Sequence, residues 1–187
     1  GEPEPVILED LPAKARDDAW PTADVVVCMG FPREFPLDLG ERARKLRMIQ
    51  ALVAGVDHLP FDRFPPTAIV CSNAGAYSIS VAEQAMALLL AAAKDIPART
   101  DEIRRGIFDQ GAMNKVLAGS TALILGLGGI GSEIARRCKA FDMRVVGIAR
   151  SGRSSAIADE VGTMEDLPRY APQADSVFLA LPLTRAT

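Results

Sequence analysis

Histidine is almost absent from this chain and cysteine is scarce. The single histidine, His58, excludes a metal site built on two histidines of one chain. The three cysteines, Cys28, Cys71 and Cys138, lie far apart and none belongs to a CxxC pair. An odd number without that spacing argues against a disulfide scaffold and against a zinc knuckle. Two of them lie in or beside apolar strand-like runs, where a thiol serves as a small core residue. This usage suits a reducing cytoplasm. Long hydrophobic runs are also missing. The longest, around Ala85 to Ala93, is closed at once by Lys94 and Asp95, short of the ~20 residues that cross a bilayer. No membrane association is expected, and no basic segment with a cleavage site at the start of the chain reads as a signal peptide. Positive charge is not in excess either. The 21 Lys and Arg against 24 Asp and Glu leave a net charge of -3, which gives nucleic acid no general attraction.

What is present is the material of a core. Apolar residues make up 49% of the 187 residues and charged residues 24%. That balance excludes a wholly disordered chain and provides for one large domain or two small ones. Short apolar runs at 25–28, 48–53 (MIQALV) and 68–71 (AIVC) read as strands between Pro, Gly and Asn punctuation. The charged stretch 40–47 (GERARKLR) reads as a solvated helix or a loop. Residues 1–18, with Pro3, Pro5 and Pro12, read as an arm. Residues 78–94 (SISVAEQAMALLLAAAK) predict a helix with Ser80 as its cap and Glu83 completing a capping box. Ala, Leu and Met fill almost all its faces, which predicts burial between two layers or two domains. Residues 100–114 are charged and broken by glycine, a linker or loose helix.

From Val116 onward the pattern becomes strand-helix-strand. Residues 121–125 (TALIL) form a strand with little polar relief, as in a sheet covered on both faces. A helix over 132–141, a strand over 144–149, a short helix around 165–167 and a strand over 176–181 follow. The alternation predicts an α/β fold with a parallel sheet.

Between the first of these strands and its helix lies GLGGIG, in which Gly126, Gly128 and Gly131 match G-x-G-x-x-G. The letters alone are weak, but a strand before and a helix after are the context of a dinucleotide site. In that reading Gly126 makes the tight turn, Gly128 lets the backbone close on a pyrophosphate, and Gly131 lets helix and sheet pack closely. The helix N-terminus supplies N–H groups and partial positive charge to the phosphates. A plain glycine turn in a parallel sheet is the other reading. An NAD site expects an acid at the end of the second strand. Here Arg150-Ser151-Gly152-Arg153 stands there, and no acid lies between Asp142 and Asp159. Guanidinium groups suit a 2'-phosphate, so NADP is the expected cofactor and NAD the alternative. Two ordinary surface arginines are the bland reading of the same residues.

Several blocks now stand in order: Ile49-Gln50 with Ala54-Gly55-Val56-Asp57, Asn73-Ala74-Gly75-Ala76-Tyr77, Val81-Ala82-Glu83, GLGGIG, Ala174-Asp175 and Leu181-Pro182-Leu183-Thr184. In this the sequence resembles the D-isomer-specific 2-hydroxyacid dehydrogenases, from about Leu46 to the last residue. The resemblance implies a partial flavodoxin-like substrate domain, residues 1–94 with an interdomain helix 80–94. A linker or dimerisation segment, 95–117, and the first part of a Rossmann NAD(P)-binding domain, 118–187, would follow. It implies that Val53, Ala54 and Gly55 line the substrate pocket, where a backbone nest holds a carboxylate, with Asn73 and Gly75 on the substrate side of the cleft. Asn73 alone reads equally as a turn residue capping its own backbone. Tyr77 and Ser78 would approach the nicotinamide or its phosphate. Gly128, Gly129 and Ile130 would contact the pyrophosphate, and Leu181, Pro182 and Thr184 would lie along the adenosine side. Asp57 and His58 read as structural. The family's catalytic arginine, carboxylate and histidine are expected beyond Thr187, so no catalytic residue is assigned and the 187-residue chain alone is expected to be inactive. The implied activity is reduction of a small 2-oxo acid such as glyoxylate or hydroxypyruvate by NADPH, in a cytoplasmic homodimer joined through the nucleotide-binding domain. A truncated, noncatalytic dinucleotide-binding or interaction protein is the competing class.

Overall fold

Three short runs make the first sheet of the computed structural model, which describes residues 5–111, 113–152 and 155–182. β1 is Val25–Cys28, β2 is Met48–Ala51 and β3 is Ile69–Cys71. They pair in parallel in the order β1-β2-β3, with Val26 opposite Ile49 and Ile49 opposite Val70. Because side chains alternate along a strand, Ile49 and Ala51 enter a core with Trp20, Leu39, Leu46 and an edge-on pair of Phe35 and Phe64. Val25, Val27 and Ile69 stand exposed. Residues 13–18, expected within an arm, instead belong to helix α1, Ala13–Ala19, entered through Pro12. The charged stretch contributes only a short helix, α2 (Leu39–Arg42), held by an Arg42–Asp38 pair at 2.7 Å.

The second unit begins at Gly75, after a first unit that ends at Ala74. Its helices are α3 (Ser78–Ala93), α4 (Ile96–Arg104), α5 (Gly129–Ala140) and α6 (Leu167–Tyr170). Its strands are β4 (Thr121–Leu125), β5 (Arg144–Ile148), β6 (Glu160–Gly162) and β7 (Ser176–Leu179), all parallel in the order β6-β5-β4-β7. Both faces of β4 are buried, which is why its sequence runs apolar without alternation. Ala122 and Ile124 meet Met86, Ile134, Ala135 and Cys138 from α3 and α5. Leu123 and Leu125 meet Val146, Ile148 and Tyr170 on the other face. The result is the Rossmann-like half of an α/β fold, with β4 central and its neighbours on either side.

Helix α3 departs from expectation in two ways. It starts at Ser78 with Tyr77 as N-cap, so Ser80 lies inside the first turn and its hydroxyl donates to the Tyr77 carbonyl at 3.2 Å. The capping box does not form, and Glu83 instead pairs with Arg137 of α5 at 3.2 Å. The helix buries one stripe, Ser78, Ala82, Met86 and Ala93, while Ile79, Val81 and Leu88 remain exposed.

The three thiols are free, with Cys28 and Cys138 buried and Cys71 half-buried. Burial pushes the Cys138 thiol up to about 11. Burial, and then the Glu34 carboxylate, raise that of Cys28. A raised pKa leaves less thiolate, the reactive form. In the folded chain at pH 8 a maleimide is expected to label Cys71 first, as read by peptide mapping. Labelling of Cys138 ahead of Cys71 would contradict this packing.

Candidate functional site

The glycine turn between β4 and α5 contains three glycines with different physical reasons. Gly126 has φ +97°, and a Cβ on it would lie 2.5 Å from the Ala180 carbonyl oxygen and 2.9 Å from Leu181 Cδ2. A Cβ on Gly131 would lie 1.8 Å from the Gly126 carbonyl oxygen. Both positions must be glycine for the chain to pack. Gly128 is different. Its φ of -74° and ψ of -161° are ordinary extended values. A Cβ there would meet nothing within 4 Å. Nothing in the chain requires a glycine at this point, and the space above it is open.

That space lies at the N-terminus of α5. Gly128 is the N-cap and no side chain caps the helix. The first-turn N–H groups of Gly129, Ile130 and Gly131 therefore have no intrahelical partner, and the helix dipole adds partial positive charge. The N-terminus of α3 arrives at the same point. Gly75, at φ +93°, turns the chain so that the Ser78 N–H bonds its carbonyl at 3.1 Å. Ser78 is 7% exposed, and a Cβ on Gly129 would lie 2.6 Å from Ser78 Oγ and 3.9 Å from Gly75 Cα. Exposed Tyr77, the N-cap of α3, provides no side-chain cap either. Two uncapped helix N-termini thus meet beside Gly128, an arrangement suited to an anion.

The carboxyl end of β5 borders the turn, since the Gly126 N–H donates to the Ile148 carbonyl at 2.8 Å. Just beyond it Arg150 and Ser151 lie exposed in a turn closed by the Gly152 N–H on the Ala149 carbonyl at 3.1 Å. On the other side of β4, half-buried Leu181 covers Gly126 and exposed Pro182 follows. Arg153 and Thr184 lie outside the described residues. The glycine turn falls where β4 has a neighbour on each side, the switch point at which open α/β sheets bind ligands.

In the first unit, Val53, Ala54 and Gly55 follow β2 and Asn73 follows β3. The Asn73 N–H donates to the Val53 carbonyl at 3.0 Å and its side-chain Nδ2 to the Leu52 carbonyl at 3.3 Å. Asn73 thus ties its own backbone and side chain to the Val53 turn. A Cβ on Gly55 would come 3.2 Å from Asp57 Oδ1. His58 is exposed, its ring 6.1 Å from Phe31 and its Nε2 3.2 Å from the Cβ position of Gly30.

Residues 86–187 match the family model of the D-isomer specific 2-hydroxyacid dehydrogenase NAD binding domain. The chain belongs to this dehydrogenase family. It is 34% identical over 183 residues to the D-3-phosphoglycerate dehydrogenase of Methanocaldococcus jannaschii, covering 96% of this chain and 34% of that protein. It is 30% identical to the hydroxypyruvate reductase of Thermotoga maritima, covering 89% of this chain and 54% of that protein. Among solved structures, a D-isomer specific 2-hydroxyacid dehydrogenase family protein from Aeromonas salmonicida superposes with a TM-score of 0.82 at 29% identity. That match covers 92% of this chain and 55% of the other. The chain spans between a third and just over half of the length of these relatives.

Several ion pairs of this dehydrogenase-family unit tie its helices and strand ends together. On α5 the Glu133 carboxyl is held below the usual carboxylate range by Arg137 and then Arg136. Arg137 also reaches Glu83, tying α5 to α3. At the amino ends of the strands Asp159 is lowered by Lys139, at 2.7 Å, and by the Val145 N–H. Among the described residues no cluster of three His, Cys, Asp or Glu could hold a metal ion, and no helix is long and apolar enough to cross a membrane.

Proposed function

We propose that this protein is an oxidoreductase that reduces a small 2-oxo acid of the glyoxylate or hydroxypyruvate class, with NADPH as hydride donor. The observation that carries the reading is Gly128, a glycine that the fold does not need, set in open space at two uncapped helix N-termini. A Cβ would enter the space a pyrophosphate needs, and the N–H groups of Gly129, Ile130 and Gly131 would hold its oxygens. Gly126 and Gly131 keep the turn tight enough for that approach. Tyr77, Ser78 and Gly75 border the same cradle on the nicotinamide side, and Leu181 and Pro182 take the adenosine side. When bound, the dinucleotide supplies the hydride. The chain's own contribution is to grip the phosphates and exclude water from their inner face. In the first unit Val53, Ala54 and Gly55 present the backbone to the substrate carboxylate, with Asn73 holding that turn in place. None of these side chains is given the acid/base role. Exposed Ile103, Phe108, Met113 and Val116 support a homodimer through the nucleotide-binding unit.

NADP rather than NAD follows from Arg150, which with Arg153 offers cations where an NAD site has an acid. A charge-assisted bond contributes about 1.5–3 kcal/mol, or roughly one to two decades in affinity at ~1.4 kcal/mol per tenfold. Titrating the chain with both cofactors should therefore show NADPH binding at least about tenfold tighter than NADH. Arg150→Asp should remove or reverse the difference. Equal dissociation constants in the wild type would overturn the NADP assignment and leave NAD.

A further inference from the structure

Gly147 sits in the interior of β5, where glycine weakens a strand and needs a reason. It is buried and pinned on both sides, paired with Ile124 of β4 and Val161 of β6. Its backbone is not left-handed, so conformation does not explain it. Packing does. A Cβ on Gly147 would lie 2.4 Å from Leu127 Cδ1, 2.9 Å from its Cγ and 3.0 Å from its Cδ2. The side chain of Leu127 therefore occupies the place that a side chain at 147 would take. Leu127 is the residue between Gly126 and Gly128, and its outer surface rests on the core formed by α3, α5 and β4. Its carbonyl also accepts a hydrogen bond from the Ser132 hydroxyl at 3.1 Å.

We propose that Leu127, seated in the gap left by Gly147, is a positioning residue that holds the Gly128 backbone at the depth a pyrophosphate requires. The inference rests on the dinucleotide reading of the turn. The glycines give that segment its room, and Gly126 holds it to the end of β5 only through its N–H on the Ile148 carbonyl, since glycines have no side chains. Leu127 is the side chain in the first half of the turn that can anchor it. The sheet accepts that anchor because β5 gives up a side chain opposite it. A leucine needed only for burial would be served by any apolar neighbour. Here the neighbour is a vacancy matched to three leucine carbons.

Two readouts test this on the full 187-residue chain. Gly147→Ala evicts Leu127 and should raise the dissociation constants of NADPH and NADH about tenfold. Leu127→Ala withdraws the anchor without a clash, so it folds even where Gly147→Ala does not, and should raise them about fivefold. Leu127→Met, which keeps the volume, should stay within twofold. Hydrogen exchange on the ligand-free chain should show faster exchange of the amides of residues 126–130 in Leu127→Ala, with β4 and α5 unchanged. Unaltered affinity in the folded Leu127→Ala chain, or unaltered exchange in that segment, would overturn the proposal. If the wild-type chain binds neither dinucleotide, the cofactor reading itself fails, and the exchange measurement still decides whether Leu127 anchors the turn.

Discussion

Gly128→Val is expected to weaken dinucleotide binding by at least about a hundredfold while the chain keeps its fold. The expectation comes from the contrast among the three glycines. At 128 the backbone is extended and no heavy atom stands within 4 Å of a Cβ, so a β-branched residue fits without strain. The fold loses only a favoured N-cap type, a cost of order 1 kcal/mol. Binding loses far more, because the valine methyl groups fill the space in which phosphate oxygens would reach the N–H groups of α5. A hundredfold loss corresponds to about 2.7 kcal/mol at ~1.4 kcal/mol per tenfold, near the contribution of one or two charge-assisted hydrogen bonds. Calorimetric titration beside a thermal melt separates the two effects. A folded Gly128→Val chain that binds as tightly as the wild type would place the dinucleotide elsewhere.

The opposite outcome is expected three residues later. Gly131→Ala places a methyl group 1.8 Å from the Gly126 carbonyl oxygen, which is backbone and belongs to the turn itself. A flexible side chain could swing away, but a carbonyl fixed by its strand cannot. Overpacking costs about 1–3 kcal/mol, occasionally more, and this site belongs at the upper end. Against a total stability of ~5–15 kcal/mol the loss is severe. With roughly 2–8 °C lost per kcal/mol in domains of this size range, the melting temperature should fall by about 10 °C or more. A melt within 2 °C or so of the wild type would show that α5 shifts freely along β4 and that the close packing is not required.

Much of this architecture was legible from periodicity and punctuation alone. β1 and β4 match the expected 25–28 and 121–125, and β5 falls one residue short of the expected 144–149. These runs are apolar, bounded by turn residues and too short for helices. β6 was missed, because Glu160–Gly162 has one apolar residue and makes its place by an Arg144–Glu160 ion pair and a Tyr170–Glu160 hydrogen bond from distant positions. The cap of α3 was misplaced because Ser80 and Glu83 have the right spacing for a capping box. The turn at Gly75, set by a positive φ, puts the N-cap at Tyr77, three residues earlier. The glycine motif was visible, but the distinct reasons for its members were not. That Gly126 meets Ala180, or that Gly147 makes room for Leu127, depends on residues brought together by the sheet. The Arg150 turn was visible as composition, while its nearness to the glycine turn came from the Gly126–Ile148 bond.

The order β6-β5-β4-β7 also bears on when the glycine turn can close during synthesis of the chain. Ala122 finds Val145 across one helical crossover, but its partner on the other side, Ser176, is more than twice as far along the chain. Doubling a loop adds only about 0.6 kcal/mol of closure entropy, so the later pairing is not much harder, only later. On a growing polypeptide β4, α5 and β5 can assemble before β7 has been made. Until β7 docks, Gly126 lacks the Ala180 carbonyl and Leu181 that close over it. On a growing polypeptide the closed form of the glycine turn therefore comes after the pairing of β4 with β5.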